Sequence, residues 1–160
     1  MKLLAVSALV CAVVVLTNAA AYRDLFKRQS GEWTVVGNRQ YLYVDYPQTW
    51  TEAEQNCHQL GGQLASVHSH FDNHQIGLLV TRMTGGNPDV WLGGSDQYRE
   101  GNWGWSDASS MNFKNWCSGE PNNYGGNEDC MRMNWGSGQC WNDYGCSTPL
   151  ASVCWKPKKA

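Results

Sequence analysis

The N-terminal part of the chain has the hydrophobic pattern of a strand region followed by two helices. Apolar and aromatic residues alternate roughly over residues 32–44, as in half-buried strands. Thr49 and Glu52 then match a capping box, so a helix is predicted from there to about residue 60, where two glycines stop it. A second helix is predicted over residues 69–83, because a Gly/Asn/Pro-rich run follows it.

Beyond Pro88 the pattern changes to short strands separated by long loops rich in Gly, Asn, Ser and Asp. Two helices followed by strands and loops predict an α+β fold. The connection over residues 94–129 is too long to be a neutral link, and its aromatic residues predict that it is pinned to a core. The predicted strands are Val90–Leu92, Cys130–Asn134, Gln139–Asp143 and Ala151–Trp155, and the aromatic residues are Tyr98, Trp103, Trp105, Trp116 and Tyr124.

Residues 1–21 have the pattern of a secretory signal peptide. Lys2 precedes an apolar run that is too short to span a bilayer, and three alanines follow it. Residues 22–28 end in a Lys-Arg pair, which fits either a removed pro-peptide or a solvated terminus. The folded domain is therefore predicted over residues 29–160, in a secreted protein that does not insert into a membrane.

Charge narrows the classes of partner. The full chain has 12 Lys+Arg, 14 Asp+Glu and a net charge of −2. Removal of residues 1–28 takes away four basic residues and one acidic residue, which leaves a net charge of −5. A mildly acidic domain without a basic stripe is a poor binder of nucleic acid or anionic membranes.

The cysteines agree with export. Six remain after the leader, an even number that predicts three disulfides in an exported small domain. No C-x-x-C pair is present, so zinc-ribbon and thioredoxin-like readings have no basis. Six cysteines allow 15 pairings, and spacing alone does not choose among them.

The segment CSGEPNNYGGNEDC, residues 117–130, concentrates oxygen-bearing side chains on a proline- and glycine-containing loop. Such side chains suit a hard divalent cation, because calcium takes six to eight oxygen ligands in irregular geometry. The alternative is a solvated polar loop, since surface loops often have this composition. The candidate ligands are Glu120, Asn122 and Glu128, joined by Asn142 and Asp143 from the later segment CWNDYGC.

At these residues the chain resembles the C-type lectin-like domain, from about Trp33 to Trp155. The matching segments occur in family order and spacing: WTEAEQNC, LASVHS, WLGG, EGNWGWSD, NWCSGEPNN, NEDC, CWNDYGC and SVC. The resemblance extends to short secreted fish lectins and to type II antifreeze proteins. It implies an α+β fold of two helices and small antiparallel sheets, with long calcium-binding loops and disulfide bracing.

The resemblance also implies a site. Glu120, Asn122, Glu128, Asn142 and Asp143 would hold one calcium ion, to which two adjacent sugar hydroxyls bind. The family associates Glu-Pro-Asn with mannose-type sugars, and Tyr124 is expected to touch the ligand. A second calcium site would use Glu128 together with Asp96, Glu100, Asn123 and Asp129. The implied disulfides are Cys57–Cys154, Cys130–Cys146 and Cys117–Cys140.

The hypothesis from sequence is therefore a secreted, calcium-dependent lectin for mannose-type glycans on microbial or glycoprotein surfaces, with self-association as one route to useful affinity. Its rivals are an ice-binding protein and a calcium-independent protein-binding module on the same fold. An enzyme comes last, because no nucleophile motif is present. His68, His70 and His74 offer a zinc alternative, but a solvated helix face explains them better.

Overall fold

Both predicted helices are present in the computed structural model, which describes residues 32–135 and 138–159. Helix α1 (Trp50–Gln59) begins with the predicted capping box, in which Glu52 Oε2 accepts a hydrogen bond from Thr49 N at 3.0 Å. Helix α2 (His70–Thr84) begins where Ser69 Oγ accepts from Asp72 N. It ends at Gly85, whose left-handed φ of 75° suits glycine.

The predicted signal peptide at 1–21 and the segment at 22–28 lie outside the described residues. Within the described part of the chain, no helix combines the length and the apolar character that a bilayer crossing requires.

The strands of the described residues join one sheet around which the helices pack. Its main path runs β1-β2-β8-β4-β6-β7, while β3 pairs with β8 and β5 pairs with β4. The strands are β1 (Thr34–Val36), β2 (Arg39–Gln48), β3 (Gln63–Leu64), β4 (Val90–Ser95), β5 (Gly104–Trp105), β6 (Cys130–Trp135), β7 (Cys140–Tyr144) and β8 (Leu150–Pro157).

The predicted fold class of two helices with antiparallel strand pairs is confirmed, with one difference in how the strands join. The eight strands form a single mixed sheet, because β4 and β8 pair in parallel, with Val90 opposite Ala151 and Trp91 opposite Ser152. Parallel partners need a long crossover connection, and the chain between these two strands supplies it. The hydrophobic pattern of each short strand predicts the strand but not the direction of its neighbour.

An aromatic cluster holds the long connection against the core. Trp141 on β7 is fully buried, and edge-to-face rings surround it at centroid distances of 5.5 Å for Trp105, 5.6 Å for Phe113 and 5.8 Å for Trp116. Trp103 packs on Trp116 at 4.6 Å. Aromatic packing thus anchors the loop as predicted.

Two of the five aromatic residues expected to anchor this connection do not do so. Tyr98 is 105% exposed and Tyr124 is 79% exposed, so neither side chain reaches the core. Tyrosine carries a polar hydroxyl on an apolar ring, and its presence in a loop does not decide which side of the surface it occupies.

Three disulfides brace the fold, and they join the same pairs that the family resemblance implied. Cys57 of α1 bonds to Cys154 of β8. The Cys117–Cys140 bridge ties the long connection to the start of β7, and the Cys130–Cys146 bridge ties β6 to the segment after β7. The polar loop therefore lies between two covalent attachments to the sheet.

Candidate functional site

The Glu-Pro-Asn loop is fastened to strand β7 through its main chain. Asp143 on β7 accepts hydrogen bonds from Asn122 N at 3.1 Å and from Asn123 N at 2.6 Å. The Glu120–Pro121 peptide bond is cis. Residues from two distant parts of the sequence are thereby brought together, with Asn142 and Asp143 buried on β7 beneath the loop.

The carboxylates of Asp143 and Glu128 influence the ionisation of Glu120. Burial and a hydrogen bond with the Asp143 carboxyl raise the pKa of Glu120 to about 7. The negative charges of Asp143 and Glu128 act in the same direction. A negative charge on Glu120 is therefore unfavourable beside Asp143 and Glu128.

Two oxygens of the predicted set have no hydrogen-bond partner among the described residues. They are Glu120 Oε2 and Asn142 Oδ1, and both are buried. Buried polar atoms are nearly always paired, so bare acceptor oxygens next to converging carboxylates fit a cation. The donor set, which consists only of oxygens, fits calcium in particular.

The carboxylates alone do not form a ready metal site. In residues 32–135 and 138–159, no three His, Cys, Asp or Glu side chains lie close enough together to hold a metal ion between them. Calcium binding here would therefore also need the amide oxygens of Asn122 and Asn142.

Glu128 and Tyr124 occupy the far end of the loop. Glu128 Oε2 accepts a hydrogen bond from Tyr124 N at 2.9 Å, and Glu128 N donates to Asn123 Oδ1 at 3.1 Å. Asn123 has a left-handed φ of 44°, which asparagine tolerates better than most residues. Tyr124 is held by its backbone while its ring stays exposed to solvent.

The residues predicted for a second calcium site also lie together. Asp96 is buried, accepts from Gly101 N at 2.8 Å and leaves its Oδ1 without a partner among the described residues. Its main-chain N donates to Asp129 O, and Glu100 Oε2 accepts from Asn123 Nδ2 at 2.5 Å. Burial raises the pKa of Asp96, and the charge of Asp129 adds to the effect.

The three histidines do not form a group that could hold a metal ion among the described residues. His68 lies before α2, with Nε2 3.2 Å from Ser66 Oγ and 3.1 Å from Ser109 Oγ. His70 packs edge-to-face on Phe113 at 4.8 Å. The described residues therefore give the zinc alternative no support.

One residue that influences the site was not singled out from the sequence. Arg132 on β6 is buried, donates to Asp89 Oδ2 at 2.7 Å and lies 3.6 Å from the centroid of the Tyr144 ring. Its positive charge lowers the pKa of Glu120, against the larger effects that raise it. A basic residue between two methionines in a predicted buried strand was the available signal.

Comparison with known proteins decides the family. Residues 46–156 match the family model described as the lectin C-type domain. The chain belongs to the C-type lectin family.

Its similar proteins include sugar-binding and ice-binding members of this family. It is 40% identical over 126 residues to the lactose-binding lectin l-2 of Anguilla japonica, covering 76% of this chain and 74% of that protein. It is 36% identical over 166 residues to the type-2 ice-structuring protein of Hemitripterus americanus, covering 95% and 98%. A solved calcium-independent type II antifreeze protein has a TM-score of 0.71 and 34% identity, covering 78% of this chain and 91% of that one.

Proposed function

We propose that this C-type lectin domain binds mannose-type sugars through a calcium ion held by Glu120, Asn122, Glu128, Asn142 and Asp143. The observation that carries the proposal is the pair of bare buried oxygens, Glu120 Oε2 and Asn142 Oδ1, beside converging carboxylates. A bound calcium ion would neutralise those charges and offer coordination positions to two adjacent sugar hydroxyls.

The protein side chains select the sugar by hydrogen bonding. A sugar hydroxyl both donates and accepts, so a carboxylate oxygen suits its proton and an amide N–H suits its oxygen. Glu120 and Asn122 supply this acid–amide pair from one loop. The exposed Tyr124 ring offers an apolar contact for the sugar face.

Retention on mannose-agarose in calcium, followed by elution with EDTA, tests the metal assignment. Glu128→Gln removes one charge while conserving shape, so retention should fall at least tenfold because the weak extracellular type of calcium site depends on ligand charge. Glu32→Gln is the matched control, since Glu32 is exposed and remote in sequence from both predicted sites. Equal behaviour of the two variants would show that Glu128 holds no calcium needed for binding.

Competition between mannose and galactose tests the sugar preference independently. The lactose-binding relative makes galactose the specific rival. Changing Glu120→Gln together with Asn122→Asp reverses the donor and acceptor order, so the preference should move from mannose toward galactose. A wild-type protein that already prefers galactose would contradict the mannose assignment.

Ice binding is the second candidate function, favoured by 36% identity to an ice-structuring protein along 95% of the chain. The solved calcium-independent relative also shows that membership of this fold does not require calcium. Thermal hysteresis and the shape of ice crystals in the presence of purified protein separate the two candidates. Hysteresis that persists in EDTA, with no retention on mannose-agarose, would favour the antifreeze function.

We also propose that the protein is secreted and acts by binding, without catalysis. The three disulfides support an oxidising compartment. One monosaccharide per site typically binds near millimolar strength, about −4 kcal/mol, so recognition of microbial or glycoprotein surfaces needs several sites, supplied by dense targets or by homo-oligomers. N-terminal sequencing of the protein collected from the culture medium tests secretion. Sedimentation of the same protein tests whether it forms homo-oligomers.

A further inference from the structure

A cleft separate from the two predicted calcium sites lies between helix α1 and strand β5. Its volume is about 500 Å³, within the range of small-ligand pockets in proteins. None of its lining residues belongs to either predicted calcium set. We call it the Trp105 cleft and define it by Trp50, Gln97, Tyr98, Asn102, Trp105 and Ser106.

Trp105 differs from the other buried tryptophans of the described residues. The indole N–H groups of Trp50, Trp91 and Trp141 donate to Leu92 O, Gln48 O and Asn73 Oδ1 at distances of 2.7–2.9 Å. Trp105 is only 5% exposed, yet its Nε1 has no acceptor among the described residues, and the adjacent Ser106 Oγ also lacks a partner there. An unpaired buried donor costs about 1–3 kcal/mol, so it calls for an explanation.

The lining has one charged side chain, and both of its carboxylate oxygens already have partners. No Lys, Arg or His lines the cleft. Its one carboxylate, Glu54, lies 3.0 Å from His58 Nε2 through Oε1 and accepts from Leu64 N through Oε2 at 3.0 Å. The cleft therefore suits a neutral ligand rather than an anion or a cation.

Tyr98 gives the cleft an aromatic rim. It is 105% exposed and makes no hydrogen bond or ring contact within the described residues, so packing does not account for it. The side-chain amide of Asn102 is exposed, and Gln97 Nε2 contacts only the weak acceptor Cys146 Sγ at 3.2 Å. An aromatic face flanked by groups that both donate and accept matches a sugar ring, which has an apolar C–H face and a rim of hydroxyls.

We propose that the Trp105 cleft is a metal-independent subsite for one neutral sugar residue. The Tyr98 ring covers the apolar face of the sugar, and Gln97 and Asn102 bind its hydroxyls. Trp105 lines the cleft, but its N–H is closed to solvent, so the ring would have to rotate slightly before that group could donate to a sugar oxygen. This subsite goes beyond the calcium-dependent function, because it uses none of the calcium ligands.

Proton–nitrogen correlation NMR of the isotope-labelled protein in EDTA tests the subsite. The methyl glycosides of mannose and N-acetylglucosamine are the probes, added to millimolar concentration. We expect a saturable shift of the Trp105 indole signal, together with the amide signals of Gln97 and Asn102. Trp105→Phe identifies the indole signal by its disappearance, and triple-resonance assignment identifies it if that variant does not fold.

Two exposed-aromatic variants separate the cleft from nonspecific sugar contact. Tyr98→Ala should weaken the binding of the shifting sugar by about three- to tenfold, the effect of losing one aromatic contact. Phe71→Ala, at a 60% exposed aromatic residue on α2, should leave it unchanged. Equal weakening by both variants would overturn the subsite.

The proposed calcium-dependent site and the proposed cleft subsite can be refuted independently of each other. The absence of any saturable indole shift in EDTA, or a shift that appears only when calcium is added, would overturn the metal-independent subsite. The other outcome is a wild-type protein that shows the indole shift in EDTA but no calcium-dependent retention on mannose-agarose. That result would contradict the proposed calcium function and support the cleft.

Discussion

Asp107 is the clearest place to test how the long connection is held to the core. Its Oδ2 accepts hydrogen bonds from Ser66 Oγ at 2.5 Å and from Trp155 Nε1 at 3.1 Å. Its Oδ1 accepts from the main-chain N and the hydroxyl of Ser109. One side chain thus joins the loop to β8 and to the segment before α2, so we predict that Asp107→Ala destabilises the whole domain.

The magnitude follows from the donors that the substitution leaves behind. Ser66 is fully buried, although His68 Nε2 remains 3.2 Å from its hydroxyl as a second partner. Trp155 is half-buried, so water compensates its N–H in part. With about 1–3 kcal/mol for each buried unsatisfied group, we expect a total loss of about 2–4 kcal/mol.

Urea unfolding followed by tryptophan fluorescence measures this loss with the disulfides intact. Asp107→Asn is the graded comparison, because its amide keeps one acceptor oxygen and should cost about half as much. If Asp107→Ala lowers the free energy of unfolding by less than about 0.5 kcal/mol, the hydrogen bonds at Asp107 do not hold the connection to the core.

The same carboxylate predicts a direction for the pH dependence. Burial alone would raise the pKa of Asp107, but hydrogen bonds from Ser109 and Ser66 outweigh it, and the pKa lies below its ordinary value. A lowered folded-state pKa gives stability that is complete above the unfolded-state pKa and is lost as pH falls through the folded-state value. The stability difference between wild type and Asp107→Asn should therefore shrink in acid, and a difference that grows in acid would contradict this assignment.

Two further substitutions test the bracing and the packing. Replacing both cysteines of the Cys57–Cys154 bridge, 97 residues apart, should cost about 5 kcal/mol, against about 3 kcal/mol for the Cys117–Cys140 bridge, 23 residues apart. Denaturant unfolding measures both, and an equal or reversed order would contradict the loop-entropy account. Gly62→Ala should cost about 1–3 kcal/mol, because its Cβ would lie 2.5 Å from the main-chain oxygen of Trp155. Gly86→Ala meets no atom within 4 Å and is the control, so similar thermal shifts for the two glycine variants would rule out the clash.

Local signals made the helices predictable. The capping box at Thr49 and Glu52 and the glycines after each helix act over one turn of chain, and the structure places both helix ends within a few residues of the prediction. The parallel pairing of β4 with β8 was not predictable in this way. It depends on which strands meet after the crossover, and the residues of a short strand do not encode its partner.

In the candidate site, too, features with a local sequence signal were predictable and features that depend on long-range contacts were not. Loop composition identified Glu120 and Asn122, because clustered acids and amides are unusual unless something neutralises or solvates them. The fastening of that loop to Asp143 uses main-chain N–H groups, which every residue except proline has, so side-chain identity carried no signal for it. Arg132 and the Trp105 cleft depend on contacts across distant strands, which appear only once the fold is known.

The pairing of β2 with β8 has a consequence for how the domain reaches its native state. Leu42 lies opposite Cys154 in that ladder, so one edge of an early strand stays unpaired until the last strand of the described chain arrives. Contacts this distant in sequence slow folding, because the entropy of closing a long loop is lost before any interaction rewards it. Until β8 arrives, β2 has an open edge beside apolar residues, which is the condition under which nascent β proteins aggregate. Synthesis of the chain from its N-terminus would therefore expose this edge longest, and folding yield should depend on how quickly the last strand is released.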